Sequence, residues 1–321
     1  IRAEYDRYVS LNKEKFSIET ESNYKSAISS SLTNTVYHPT SEHGYGYVFN
    51  ILFKFSDEQS TELKNFTAGQ PDKTIVEKYR AQLANKIEVI KSNPDYDPDE
   101  VCEECKAAQK ESKDPNKYCT KEKCNARPYE VDGEGNIKKY NVIDVINELT
   151  AKLDAATTFE AKREIATQYV YMVNDDTGMY NTSSNNAITA GGNGYLISPH
   201  ETDKTYVEEF SKKGRELVNN GLGSYGWCVT DYGIHFMFVS YIPYDATKVE
   251  KENEIPLKYI VYYGREDDEN DKNKTLRDVI VQDLKSKNTE ARYQIAAQNA
   301  IAANKDNSIS RNKKAWEKTV K

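Results

Sequence analysis

The stretch that decides the fold of this chain is "SYGWCVTDYGIHFMFVSYI", residues 224–242. Its aromatic and β-branched residues predict a buried β-hairpin, with one strand around "GWCVT" and the other around "GIHFMFVSYI". The chain has only four histidines, and one of them, His235, lies inside this apolar run. A lone histidine in a strand is more often a structural residue than a catalytic one. Its role therefore depends on the segments that pack around it.

The composition sets limits on the function. The chain has 321 residues, enough for one large domain or two ordinary ones, and a formal net charge of −7. Phosphate binding depends on clustered lysine and arginine side chains, and the sequence has no dense basic cluster, so a nucleic-acid partner is not favoured. No apolar run approaches the roughly 20 residues that a membrane-spanning helix needs. The chain opens at Ile1 rather than at a methionine, so membrane anchoring through a segment before Ile1 stays open.

The first half of the chain predicts a strand followed by helices. "HGYGYVFNILFKF" (43–55) is rich in β-branched and aromatic residues, which predicts a buried strand. Ser56, with Gln59 three residues later, resembles a capping box and predicts the start of a helix. "KTIVEKYRAQLANKIEVIK" (73–91) predicts a single amphipathic helix. The apolar stripe of that helix consists of Ile75, Tyr79, Leu83, Ile87 and Ile90.

The second half returns to helices before and after the hairpin. Helices are predicted at 141–156, 158–170, 205–221 and 276–304. A long Asn/Ser/Gly-rich loop at 174–198 ends in a short strand. The order strand, helices, strand, helix, hairpin is typical of the α+β class, so we expect a central sheet with helices to one side.

In this order the segments resemble the parvulin-type peptidyl-prolyl isomerases, and within that family the extracytoplasmic foldases of the PrsA and SurA type. The motifs that carry the resemblance are "FNILFKF" (49–55), "AGGNGYLIS" (190–198), "YVEEFSKKGREL" (206–217) and "DYGIHFMFV" (231–239). The resemblance implies a parvulin-like antiparallel sheet with surrounding helices, in a domain spanning 43–245. It also implies an N-terminal helical segment at 1–42. A C-terminal strand and helix segment at 246–321 would pack with it as a chaperone lobe.

The same resemblance implies an active site. His235 corresponds to the second histidine of the family's site, on the sheet floor below the bound proline. Asn50 stands where the family places the partner histidine, and asparagine forms hydrogen bonds but does not titrate. Candidate substrate-binding walls are Phe210, Phe236 and Met237. Either Asp175 or Asp176 stands near the position where the family has an acidic or thiol residue.

Two functions follow from the resemblance. The first is a peptidyl-prolyl cis–trans isomerase that acts as a foldase on unfolded or secreted proline-containing polypeptides. It would work outside the cytoplasm, and a lipid anchor at the cell surface fits that location. The second is a catalytically degenerate parvulin-like chaperone or surface-assembly module that binds such polypeptides without isomerising them. Asn50 favours the second function, whereas the His235 strand and the Phe210 helix favour the first.

A polar, proline-punctuated insert at 93–140 interrupts the predicted domain and carries four of the five cysteines. These four are Cys102, Cys105, Cys119 and Cys124. Four thiolates at such short spacing suit tetrahedral zinc, and two cross-paired disulfides are the alternative. The insert is poor in apolar residues, so we expect one of these staples to hold it together. Cys228, in the hairpin, is most simply a small buried hydrophobe.

Overall fold

The chain folds around a four-stranded antiparallel sheet. A computed structural model describes residues 1, 3–4, 6–7, 10–11, 45–180, 187–188, 192–242, 250–252, 255–257 and 276–319. The strands are β1 (Gly46–Lys54), β2 (Glu88–Ile90), β3 (Lys139–Asn141), β4 (Tyr195–Ile197), β5 (Tyr225–Thr230), β6 (Gly233–Tyr241), β7 (Glu250–Glu252) and β8 (Ile255–Leu257). The main sheet has the order β4–β1–β6–β5, and all its neighbours are antiparallel. The predicted mixed class with an antiparallel sheet is therefore confirmed.

The described residues form seven α-helices. They are α1 (Asp57–Gly69), α2 (Lys73–Ala84), α3 (Glu103–Ser112), α4 (Val142–Ala155), α5 (Phe159–Val173), α6 (Glu208–Asn220) and α7 (Leu276–Thr319), with a short 3₁₀ turn at Thr177–Met179. The predicted capping box is present at the start of α1, where Ser56 and Gln59 bond each other's backbone N–H groups. The first four backbone N–H groups of a helix have no partner within the helix. Because Ser56 and Gln59 provide such partners here, this pair fixes where α1 starts.

The two faces of the sheet fill two different apolar cores, because successive residues of a strand point to opposite faces. One face of β1 carries Phe49, Ile51 and Phe53, which belong to the main core together with residues of α4 and α5. The other face carries Val48 and Met237, which pack against α6 in a smaller core. The sheet is thus a middle layer, with helices on both faces rather than on one face as expected.

The hairpin between β5 and β6 turns through Asp231 and Tyr232. Gly233 follows with a φ of +136°, and a Cβ atom there would lie 2.0 Å from the Phe53 carbonyl oxygen. Only glycine fits this position without strain. The turn fixes the register of β6 and therefore the strand position of His235.

The prediction of a single helix over 73–91 is wrong for the last two turns. The helix α2 ends at Ala84, and Glu88–Ile90 is the strand β2, paired antiparallel with β3. Ile87 and Val89 are buried, and the residue between them is exposed. The buried residues after Ala84 therefore follow a strand period of two, and Ile90, the last residue of the predicted stripe, is exposed. Pairing with β3, 50 residues away, overrides the local helical pattern.

The insert is a small lobe with its own base and core. β2 and β3 form the base, and the Ser92 N–H donates to the carbonyl of Met172 at the end of α5 at 2.8 Å. Beyond this base, α3 and the following loop bury a small core. That core consists of Cys105, Tyr118, Cys119 and Cys124. Apart from one tyrosine it is made of cysteine, so the insert cysteines lie in the core of the lobe.

The two ends of the chain meet through charged side chains. Glu4 accepts hydrogen bonds from Arg7 at 2.9 Å and from Lys287 of α7 at 2.7 Å, and these two cations lower its pKa to about 2. Ile280 of α7 is buried. Within the described residues, no helix combines the length and apolar character needed to span a bilayer. Of the predicted chaperone lobe, the C-terminal helix is described. Most of the segment 1–42 lies outside the described residues, and the lobe stays a prediction.

Candidate functional site

Asn50 and His235 lie side by side on the two central strands. In the β1–β6 register, Asn50 is opposite Met237 and Leu52 is opposite His235, so all four side chains lie on the face covered by α6. The His235 Nδ1 atom is 3.1 Å from the Asn50 Oδ1 atom. Both side chains are buried, with 7% and 1% of their surfaces exposed. The pair expected from the sequence is therefore in contact.

The acidic residue beside this pair is Asp176 and not Asp175. The Asn50 Nδ2 group donates to Asp176 Oδ2 at 2.7 Å. Asp176 Oδ1 accepts from the Tyr195 hydroxyl and from the Gly178 backbone N–H, both at 3.0 Å. Asp175 instead accepts from the last backbone N–H of β1 at 2.9 Å. The sequence could not show which of these two neighbouring carboxylates lies beside the pair. In the structure the two have different partners.

The segment after α5 is fixed along the open edge of β1. The Asn174 side chain accepts from the Leu52 N–H at 2.7 Å and donates to the Asn50 carbonyl at 3.0 Å. The Asp175 N–H donates to the Leu52 carbonyl at 2.9 Å. β4 pairs only with the first three residues of β1, so this segment takes over the same edge where β4 ends. These bonds hold Asp176 beside Asn50.

His235 is neutral in this environment. Its Nε2 atom lies 2.9 Å from Thr230 Oγ1, and that oxygen accepts from the Tyr232 N–H at 3.1 Å. Burial lowers the pKa of His235 to about 4, against the opposing effect of the nearby Asp176 charge. At neutral pH the imidazole therefore has one donor nitrogen and one acceptor nitrogen.

Two of the three predicted walls lie on this face. Phe210 of α6 meets the His235 ring edge to face, with 5.1 Å between ring centroids, and Met237 packs in the same cluster. Phe236 is a correction, because it points into the main core and stacks on Tyr225. Adjacent residues of a strand alternate between faces, so Phe236 cannot share a face with His235.

Three residues of the site were not predicted from the sequence. Tyr195 and Tyr206 pack their rings against Phe210, with centroids 6.3 Å and 5.2 Å from it. Thr230 is the third, and it is fully buried. A signal for Thr230 existed, because Cys228 pairs with His235 and a residue two positions along the same strand shares its face. The two tyrosines flank irregular segments, where no periodicity indicates which side chains meet.

Cys228 lies opposite His235 in the β5–β6 ladder. Burial, with a smaller effect from the charge of Glu209, raises the pKa of its thiol to about 12. The thiol is therefore protonated at neutral pH and a poor nucleophile. Cys228 packs against the smaller core as the expected small hydrophobe, but it is only partly buried.

The four insert cysteines converge on one point. Their Sγ atoms all lie within 4.8 Å of one another. The Sγ atoms of Cys102 and Cys119 are 3.7 Å apart, as are those of Cys105 and Cys124. A disulfide needs about 2.05 Å, and none of the five cysteines is in one. A tetrahedral site with metal–sulfur bonds of about 2.3 Å has sulfur–sulfur edges of about 3.8 Å. The cluster can therefore bind a metal ion.

Backbone groups support this cluster. The Cys119 N–H donates to Cys105 Sγ at 3.4 Å. A hydrogen bond from the Cys105 backbone to the Cys102 thiol lowers the pKa of Cys102 to about 7. The Arg127 guanidinium donates to the Cys119 carbonyl at 2.8 Å and holds the second half of the loop in place. Outer hydrogen bonds of this kind orient metal ligands.

Within the part of the chain that the structure describes, two separate groups of side chains are arranged as binding sites could be. One is a buried row of hydrogen-bonded polar side chains on the sheet face, flanked by aromatic rings; it consists of Thr230, His235, Asn50 and Asp176. The other is the cluster of four cysteine sulfurs in the insert. Compared with known proteins, the chain matches no family model, no curated protein and no solved structure.

Proposed function

We propose that the sheet face around His235 is a divergent parvulin-type site that binds prolyl peptides and isomerises their X–Pro bonds slowly. The observation that carries the proposal is the contact between Asn50 and His235, extended by Thr230 on one side and Asp176 on the other. Every member of this row has a hydrogen-bond partner, so the row holds a fixed geometry inside the protein. Phe210 borders it with an aromatic edge.

The chemistry asked of such a site suits these residues. Rotation about an X–Pro bond has a barrier near 20 kcal/mol. Lowering that barrier needs no nucleophile and no general base, only a pocket that binds the twisted amide better than either planar form. Phe210 and Met237 supply apolar contact for a proline ring, and the polar row supplies hydrogen bonds to an amide that has lost its conjugation.

Asn50 is the reason to expect slow turnover. Two histidines can share a proton and adjust their polarity during the rotation. An asparagine–histidine pair keeps a fixed hydrogen bond. Pocket shape still contributes, because much of the acceleration comes from binding the twisted amide. The loss is therefore partial.

A second candidate function is peptide binding without turnover, and one observation favours it. Only 7% of the His235 surface is exposed, so a peptide reaches the ring only after the aromatic side chains above it move. A protein of this kind would hold proline-containing segments as a chaperone. The proposed clients, unfolded or secreted polypeptides outside the cytoplasm, are supported by the motif resemblance.

The proposal is tested by titrating isotope-labelled protein with a proline-containing peptide and following the backbone amide resonances. We expect the changes to centre on β1, β6 and α6. Phe210→Leu should weaken binding roughly three- to tenfold, because it removes an aromatic contact. Trp227→Ala is the matched control, since Trp227 is 42% exposed and points away from the His235 face. Binding confined to other surfaces would contradict both candidate functions.

We also propose that the four insert cysteines hold one zinc ion in a closed structural site. The sulfur separations of 3.7 Å support this, because they match the edges of a tetrahedral zinc–thiolate centre. Bound zinc supplies a cross-link, since four protein sulfurs leave no open position for a substrate. That cross-link would join the start of α3 to the loop after it.

Metal analysis of the purified protein tests the zinc proposal, with one equivalent of zinc expected. Cys102→Ser should lose most of this metal, because a three-thiolate site is incomplete. Cys228→Ser should keep it, because Cys228 lies on the sheet and not in the cluster. Two disulfides among the insert cysteines in protein prepared without oxidant, together with no metal, would overturn the proposal.

A further inference from the structure

The hydrogen bonds of Asp176 fix the orientation of Asn50. Asp176 Oδ1 accepts from Tyr195 and Gly178, and Oδ2 lies 2.7 Å from Asn50 Nδ2. An ionised carboxylate has acceptors and no donor. The Asn50 group that faces Asp176 must therefore be the NH₂ group, and the amide oxygen must point the other way.

The orientation of Asn50 then fixes the proton on His235. The Asn50 amide oxygen lies 3.1 Å from His235 Nδ1. Because a carbonyl oxygen only accepts, Nδ1 must carry the proton. A neutral imidazole has one ring proton, so Nε2 is bare and accepts from the Thr230 hydroxyl at 2.9 Å.

Thr230 is consistent with this direction. Its oxygen already accepts the Tyr232 N–H at 3.1 Å, which leaves its own proton for His235. Three hydrogen bonds therefore run one way, from Thr230 to His235, from His235 to Asn50, and from Asn50 to Asp176. The direction of the whole row is set at its acidic end.

We propose that Asp176 is a positioning residue that acts through Asn50 to hold His235 in the Nδ1–H tautomer, with Nε2 as an acceptor. An amide cannot pass on a proton, but it transmits orientation, since one end donates and the other accepts. The use of this tautomer in isomerisation rests on the proposed function. The tautomer itself is a property of the free protein and is measured without any peptide.

The substitution Asp176→Asn should reverse the row. Gly178 and Tyr195 still donate to the position of Oδ1, so the side-chain oxygen of the new residue stays there and its NH₂ group replaces Oδ2. Asn50 must then turn over to present its oxygen, which places its NH₂ group against His235 Nδ1. That nitrogen must lose its proton, and the ring changes to the Nε2–H tautomer.

The test is a long-range ¹H–¹⁵N correlation spectrum of the histidine ring nitrogens at neutral pH. We expect the wild-type His235 to show a protonated Nδ1 and a bare Nε2. In Asp176→Asn the two ¹⁵N shifts should exchange places. Asparagine is also a good capping residue, so the 3₁₀ turn that Asp176 caps should be retained.

Two further variants separate this role from a general effect of charge or packing. Asp175→Asn removes the same charge one residue away, where the carboxylate binds the end of β1, and it should leave the tautomer unchanged. Tyr195→Phe removes one donor to Asp176 but keeps the carboxylate, and the wild-type tautomer should persist.

A wild-type protein with the proton on Nε2 would overturn the proposal. So would a folded Asp176→Asn variant that keeps the Nδ1–H form. If Asp176→Asn does not fold, the spectra of the wild type and of Tyr195→Phe decide, because both must show the Nδ1–H form. Failure to bind prolyl peptides would refute the proposed function and leave this result unaffected.

Discussion

Burial keeps His235 neutral in the folded protein, whereas in the unfolded chain the same side chain is protonated below its ordinary pKa of 6.5. Between pH 6.5 and about 4, the folded pKa, the unfolded state therefore binds a proton that the folded state does not. Stability contributed by this group is present above pH 6.5 and is lost as the pH falls. We predict a loss of about 3 kcal/mol from His235 at pH 4 relative to neutral pH.

Urea unfolding of the wild type and of His235→Gln at several pH values measures this loss. Carboxylates titrate in both proteins, so the informative quantity is the difference between their free energies of unfolding. This difference should change by the stated amount between neutral pH and pH 4. A difference that stays constant with pH would show that His235 is accessible to protons in the folded state.

The resemblance to the parvulin family selected Asn50 and His235, and the apolar runs around them predicted the strands on which they lie. It could not choose between Asp175 and Asp176, because the path of the segment after α5 is set by bonds to β1 and not by any local pattern. Phe236 was wrongly predicted to line the site, although the alternation of side chains along a strand was sufficient to place it on the other face of the sheet from His235.

At the scale of elements, the β5–β6 hairpin depends on Gly233. A Cβ atom there would meet the Phe53 carbonyl oxygen at 2.0 Å, and the backbone has a positive φ. We predict that Gly233→Ala lowers the free energy of unfolding by about 1–3 kcal/mol or more, measured by chemical denaturation. Gly133→Ala is the matched control, since a Cβ atom there meets nothing within 4 Å. Equal effects of the two substitutions would contradict this explanation.

The segment 73–91 shows why some elements could not be predicted. Its apolar residues fit a helical stripe, yet the stripe breaks at Ala84 and the remainder pairs with Lys139–Asn141. Ile87 and Val89 are β-branched, and β-branched residues favour strands once a partner strand is present. The partner lies on the far side of the insert, so no window of local sequence contains it.

At the scale of the whole molecule, the insert and the sheet should respond differently to metal removal. The core of the insert consists mainly of the cysteine cluster, whereas the sheet has a large apolar core of its own. We predict that a zinc chelator removes hydrogen-exchange protection from α3 but leaves it in β1 and β6. Hydrogen exchange followed by mass spectrometry measures both regions together. Protection of α3 that survives complete metal removal would show that the lobe does not need the ion.

The general architecture was predictable, but its layering was not. The order of strands and helices indicated an α+β fold, and the sheet is antiparallel as expected. Helices cover both faces because α6 packs on the side of Val48 and Met237. Both faces of β6 are buried, so its sequence lacks the polar alternation that would have indicated one solvated face.

The central claim is that the face around His235 binds X–Pro bonds and isomerises them. Exchange spectroscopy of a proline tetrapeptide, with equal concentrations of the wild type, His235→Ala and Asn50→His, tests it most directly. We predict slow but measurable acceleration by the wild type and none above background by His235→Ala. Asn50→His should be faster than the wild type, because a second imidazole restores a titratable partner. Acceleration by the wild type that His235→Ala leaves unchanged would contradict the claim and place the activity elsewhere on the molecule.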